Sequence, residues 1–205
     1  MLTGKLMGAG GFGDKGLFVG DNYALGGTIS IPSHSAGDLI ILVDGNGGNL
    51  TVPSTRSGFT SIAATTDDNF GTNSDYGVRL QYKFDTTGTT NSVTLGGNRG
   101  SVWVFKGLSS FRNLVTIDDQ RSATGTWTVG PYSGLTTGSF LFATSICLSR
   151  FMVSADTTND PWVINEGGPL GAWIEAVDGS TVSQAVHQTT ITWSYKTFAV
   201  QFNPI

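Results

Sequence analysis

The chain has 205 residues, the size of one ordinary domain, and carries a net charge of −4 with a pI near 4.9. That balance leaves no electrostatic footprint for a nucleic acid or an anionic membrane. Charged residues are only 13% of the chain, against roughly a quarter in ordinary globular proteins, while 12 Phe, 5 Trp and 5 Tyr supply ample core; the low-hydrophobicity, high-charge kind of disorder is excluded.

Gly, Ser and Thr together exceed a third of the residues, and Glu occurs only as Glu166 and Glu175. Helices favour Glu, Lys, Leu and Ala, so this composition argues for an all-β chain. No run approaches the roughly 20 apolar residues that span a bilayer. Cys147 stands alone, so an internal disulfide and a multi-cysteine metal site are excluded, and its place in Phe140–Leu148 suits a small packed hydrophobe.

Residues 1–16 read as a flexible Gly-rich arm, in which six glycines supply flexibility and almost nothing to bury, and show no apolar h-region of a secretory signal. Residues 17–205 read as a single β-sandwich domain. Thr28–Ile31 and Leu39–Val43 are strands divided by a Pro/Ser/Gly turn, and the second stops at the turn-rich Asp44-Gly45-Asn46-Gly47-Gly48-Asn49. Phe59–Ala64 follows. In Tyr76 to Asp85, Val78, Leu80, Tyr82 and Phe84 alternate with Arg79, Gln81 and Lys83, which places the first set on a buried face and the second in water. Asn91–Leu95 is expected to return from it as a hairpin across Thr86–Thr90.

Ser101–Phe105 and Phe140–Leu148 are apolar on both parities and read as central strands covered on both sides. Trp127–Val129, Trp162–Ile164 and Trp173–Val177 are shorter candidates. In the last segment Ile191, Trp193 and Tyr195 share one parity and Phe198, Val200 and Phe202 the other, so a β-bulge is expected near Lys196-Thr197. Many short strands with frequent turns predict an antiparallel β-sandwich, jelly-roll-like.

Chemistry is sparser. Gly8-Ala9-Gly10-Gly11-Phe12-Gly13 matches G-x-G-x-x-G, but no strand precedes it and no helix start follows, so it reads as an assembly arm (Gly8, Gly10, Gly11, Phe12, Gly13) and not a nucleotide loop. His34 and His187 lack the nucleophile and orienting partner of a triad motif and read as turn or surface residues. Glu166 and Glu175 are the carboxylates a glycosidase would need, weighed against solvated acids. Asp67, Asp68, Asn69, Asn73 and Asp75, and separately Asp44, Asn46 and Asn49, offer oxygen ligands for calcium but read as turn chemistry, as does Asp118-Asp119. The sequon Asn49-Leu50-Thr51 has meaning only on a secretory route. Among five tryptophans, Trp103 and Trp193 are expected in the core, while Trp127, Trp162 and Trp173 are the candidates for stacking on a glycan. No catalytic, metal or cofactor residue is assigned.

Four stretches together resemble a module of tailed-phage and prophage virion proteins. They are Gly37-Asp38-Leu39-Ile40-Ile41-Leu42-Val43 with Pro53 and Gly58-Phe59-Thr60-Ser61-Ile62, Val78-Arg79-Leu80-Gln81-Tyr82-Lys83, Gly100 to Leu108, and Phe198 to Pro204. Phe59 stands where Trp is commoner, and the gap from Pro53 is longer than in that module. The resemblance spans roughly residues 17 to 204 and implies a non-enzymatic virion component of the tail, fibre, baseplate or capsid surface. It implies synthesis in the host cytoplasm, a symmetric homo-oligomer with a trimer favoured, and other virion proteins as partners. The alternative is a carbohydrate-binding module for bacterial surface glycans; a depolymerase comes third. The arm is expected to be ordered by an intersubunit contact.

Overall fold

The computed structural model describes residues 16–67, 75–122, 126–146, 154–156, 163–165, 170–177, 185–188 and 193–205. Among them the chain is all β. Its first half forms β1 (Phe18–Ala24), β2 (Thr28–Ser30), β3 (Leu39–Gly47), β4 (Thr60–Asp67), β5 (Tyr76–Phe84), β6 (Ser92–Thr94) and β7 (Arg99–Phe105). Its second half forms β8 (Leu108–Ser122), β9 (Thr126–Val129), β10 (Phe140–Ile146), β11 (Ser154–Asp156), β12 (Val163–Asn165), β13 (Leu170–Ile174), β14 (Ala185–Gln188) and β15 (Trp193–Pro204).

Two antiparallel five-stranded sheets make the sandwich. One runs β1-β7-β3-β5-β4, the other β12-β13-β10-β15-β8. Their facing sides share one core, to which β3, β5 and β7 give Leu39, Ile41, Val43, Val78, Leu80, Trp103 and Phe105, and β10 and β15 give Phe140, Phe142, Phe198, Val200 and Phe202. The opposite parity is also covered. The two-stranded β2–β6 sheet lays Ile29 and Val93 over Ile40, Leu42, Val102 and Val104. The stretch 130–139 brings Tyr132 and Leu135 over Leu141, Ala143 and Ala199. Two-sided cover explains why β3, β7 and β10 read as continuous apolar runs.

The all-β antiparallel sandwich expected from composition is therefore present, but its connectivity is simpler than a jelly roll: each main sheet is built from one half of the chain. Three further expectations are corrected. Asn91–Leu95 does not pair with β5, whose two edges are already taken by β3 and β4; β6 pairs with β2. Gln81 is not in water: it is fully buried, and its Oε1 accepts the Arg56 N–H at 2.8 Å. The bulge expected at Lys196-Thr197 is absent, since both residues pair regularly with β10 and with β8.

The extra residues lie instead on β8. Leu108, Phe111, Leu114 and Ile117 stand opposite Pro204, Phe202, Val200 and Phe198, with Ser109, Arg112 and Val115 unpaired between them. Three residues of β8 thus match two of β15 along this stretch. Directly opposed residues share a face, so β8 holds its apolar side chains inward at a spacing of three, which a bulge at every third residue makes possible.

Candidate functional site

The end of the sandwich where β1 begins is unusually well fixed. Leu17 is buried in the main core, its N–H donates to Glu175 Oε1 at 2.9 Å, and its carbonyl accepts the Lys106 N–H at 2.8 Å. Phe18 stacks on Trp173 with ring centroids 4.6 Å apart. Gly107, at φ +74°, leaves room for Leu17, because a Cβ there would stand 2.9 Å from the Leu17 Cδ2. The same two-residue turn takes the other end of the domain: the Ile205 N–H donates to the Gly107 carbonyl at 3.0 Å. Leu17 and Ile205 therefore both contact this turn.

Nearby loops are locked by a buried hydrogen-bonded pair. His34 Nε2 lies 2.9 Å from Asp85 Oδ2, with both side chains almost wholly buried, and His34 Nδ1 lies 2.7 Å from the Pro32 carbonyl. Both ring nitrogens are therefore within hydrogen-bond reach of an oxygen. Asp85 also accepts from the Thr90 N–H and the Thr87 hydroxyl and lies 3.3 Å from Lys83 Nζ. Burial alone would raise the Asp85 carboxyl; the hydrogen bonds from His34, Thr90 and Thr87 outweigh it and hold the group well below the usual carboxylate range. With both ring nitrogens engaged, this pair staples two loops and offers no free base. A His in a Pro/Ser loop gave no such signal, although Asp85 ahead of a Thr-rich loop is a recognisable capping pattern.

At the opposite end of the first sheet, Asp44 is fully buried and accepts the N–H groups of Gly96 and Gly97 at 2.8 and 2.9 Å, with Arg56 Nε 3.4 Å away. Asn46 donates to the Thr51 carbonyl, and Asn49 accepts the Thr51 N–H. These three calcium candidates are spent on loop closure. Of the second acidic group, Asp67 is buried against the Tyr76 hydroxyl, 3.3 Å away, and Lys196 Nζ, 3.9 Å away; Asp75 is half-buried, and Asp68, Asn69 and Asn73 lie outside the described residues. No cluster of metal-ligating side chains occurs among the described residues.

The glycan candidates separate. Trp173 is 3% exposed and stacked on Phe18 inside the core, so its faces are closed to a sugar. Trp127 lies on β9, where the backbone alone is described, and Trp162 falls outside the described residues. Trp103 is in the core as expected, while only the backbone of Trp193 is described. Glu175 holds the Leu17 N–H; Glu166 and the arm residues Gly8, Gly10, Gly11, Phe12 and Gly13 lie outside the described set, as does Cys147. His187 is on β14, opposite Trp127 in register.

The segments that carry the phage-module resemblance become β3, β4, β5, β7 and β15. Their signature residues have structural tasks: Gly37 and Gly58 turn at φ +92° and +78°, and Asp38 accepts the Ser35 N–H at 2.8 Å. They mark a fold and assign no reaction. Comparison with known proteins finds no family model, no curated protein and no solved structure that matches the chain.

Proposed function

We propose that this chain is a structural component of a tailed-phage particle, working by assembly through one end of its sandwich. The supporting observation is the shared turn at Lys106-Gly107, which hydrogen-bonds to both Leu17 and Ile205. This geometry suits a subunit held at one end and presenting the other outward. The residues resembling the virion module are consistent with it, being the strands of one continuous sandwich.

The sheet edges point the same way. β1 is bulged at Val19, β4 at Ile62 and β8 three times. Bulged or short edges discourage strand-to-strand growth. Many copies packed at high local concentration would need that protection, with association left to side chains. The test is a purified particle: cryo-imaging and mass spectrometry of phage from a host carrying this gene should find the chain at stoichiometric copy number. Finding it only in the soluble lysate overturns the proposal.

A further inference from the structure

The inner face of β8 is not fully roofed. Phe111 is covered, its ring stacked on Tyr82 at 5.4 Å and edge-on to Phe202. The next two inward positions, Leu114 and Ile117, are 36% and 40% exposed. Their register partners Val200 and Phe198 are fully buried, so the apolar layer of the core runs out to solvent along β8. This seam is bordered by β4, the edge strand of the facing sheet, whose Ile62 and Ala63 pack partly on the same core.

The seam and the fixed exit at Leu17 lie on opposite sides of the sandwich. Phe18 of β1 contacts Trp173 of β13, whereas Tyr82 of β5 contacts Phe111 of β8. β1 and β4 are separated by four strand spacings, about 19 Å. The residues before Leu17 include Leu2, Leu6, Met7 and Phe12 among seven glycines or small residues, and extended they reach about 50 Å. Residues 1–15 lie outside the described set, and Leu17 fixes the point from which that length of chain departs.

We infer that the segment preceding Leu17 of one copy seats its apolar residues on the Leu114–Ile117 seam of a second copy. Donor and acceptor on opposite edges of one subunit make a heterologous contact, which closes into a ring when the rotation between copies allows. Bulged edges disfavour extending the sheets as the alternative mode. The inference rests on the assembly reading above, but it concerns the contact and not the particle.

The experiment is solution mass of the purified chain across concentration, for the wild type, a form lacking residues 1–15, and Leu114→Ser/Ile117→Ser. The wild type is expected to be an oligomer and both variants monomers. A peptide of residues 1–16 should bind the shortened form and bind at least tenfold more weakly when both seam residues are Ser. A monomeric wild type, an unchanged oligomer in either variant, or peptide binding indifferent to the seam overturns the inference. Absence of the chain from particles with this contact intact would sink the phage reading alone.

Discussion

Glu175 reaches across 158 positions of sequence to accept the backbone N–H of Leu17 at 2.9 Å. One of only two glutamates in the chain is therefore used to hold the backbone just before β1. Glu175→Ala should cost about 1 kcal/mol, the modest value for a half-buried charged hydrogen bond, while Glu175→Gln, which keeps an acceptor, should lose less. Urea unfolding measures the cost, and faster exchange of the Leu17 amide in the Ala variant alone would locate it.

The His34–Asp85 pair predicts an acid dependence with a definite sign. The Asp85 carboxyl is held below its ordinary range in the fold, so the unfolded chain takes up this proton first. Its contribution is fully present above the ordinary carboxylate value of about 3.9 and is lost as pH falls toward the lower folded value. Asp85→Asn should cost about 1.5 to 3 kcal/mol at neutral pH, since it removes the charged acceptor of the hydrogen bonds from His34, Thr87 and Thr90. It should also flatten the dependence of stability on pH between about 5 and 2. An equally steep profile in both proteins would remove Asp85 from the account.

Trp103 and Gly171 are matched across the two sheets. A Cβ on Gly171 would stand 2.6 Å from the Trp103 Nε1. Gly171→Ala should destabilise by about 1 to 3 kcal/mol through overpacking. Combined with Trp103→Leu, which clears the space, it should cost less than the sum of the two single changes. Additive values in chemical denaturation would show that the ring moves aside freely.

Along β8 the inward positions should be graded by cover. Phe111→Ala is expected to cost about 2 to 3 kcal/mol, as a large ring leaving a packed core. Leu114→Ser and Ile117→Ser should each cost under about 1 kcal/mol in the isolated subunit, being more than a third exposed. Thermal melts of the three proteins test the order.

Most of the first sheet was legible in the sequence because its strands obey simple rules: β5 alternates, and β3 and β7 are apolar on both parities. The strand β8 was not, although it is the longest, because its apolar residues recur every third position and match neither the period of a strand nor that of a helix. Strand β1 was missed for a different reason: Phe18 to Ala24 carries Gly20, Asp21 and Asn22, turn formers that tertiary pairing with β7 overrides. At the ends of the domain, Leu17 and Glu175 are ordinary residues whose partnership depends on two sheets meeting, so no local pattern announces it. The buried Gln81 shows the same limit, since an alternating strand does not reveal that a loop will fold down over its polar face.

The turn at Lys106-Gly107 has a practical consequence. Because it touches both Leu17 and Ile205, a short linker could join these positions and new ends be opened at the exposed Gly48–Leu50 turn, giving a circular permutant with every core strand intact. By the same token the domain is suited to grafting into a surface loop of a carrier protein, where host and guest would be connected without either being pulled apart.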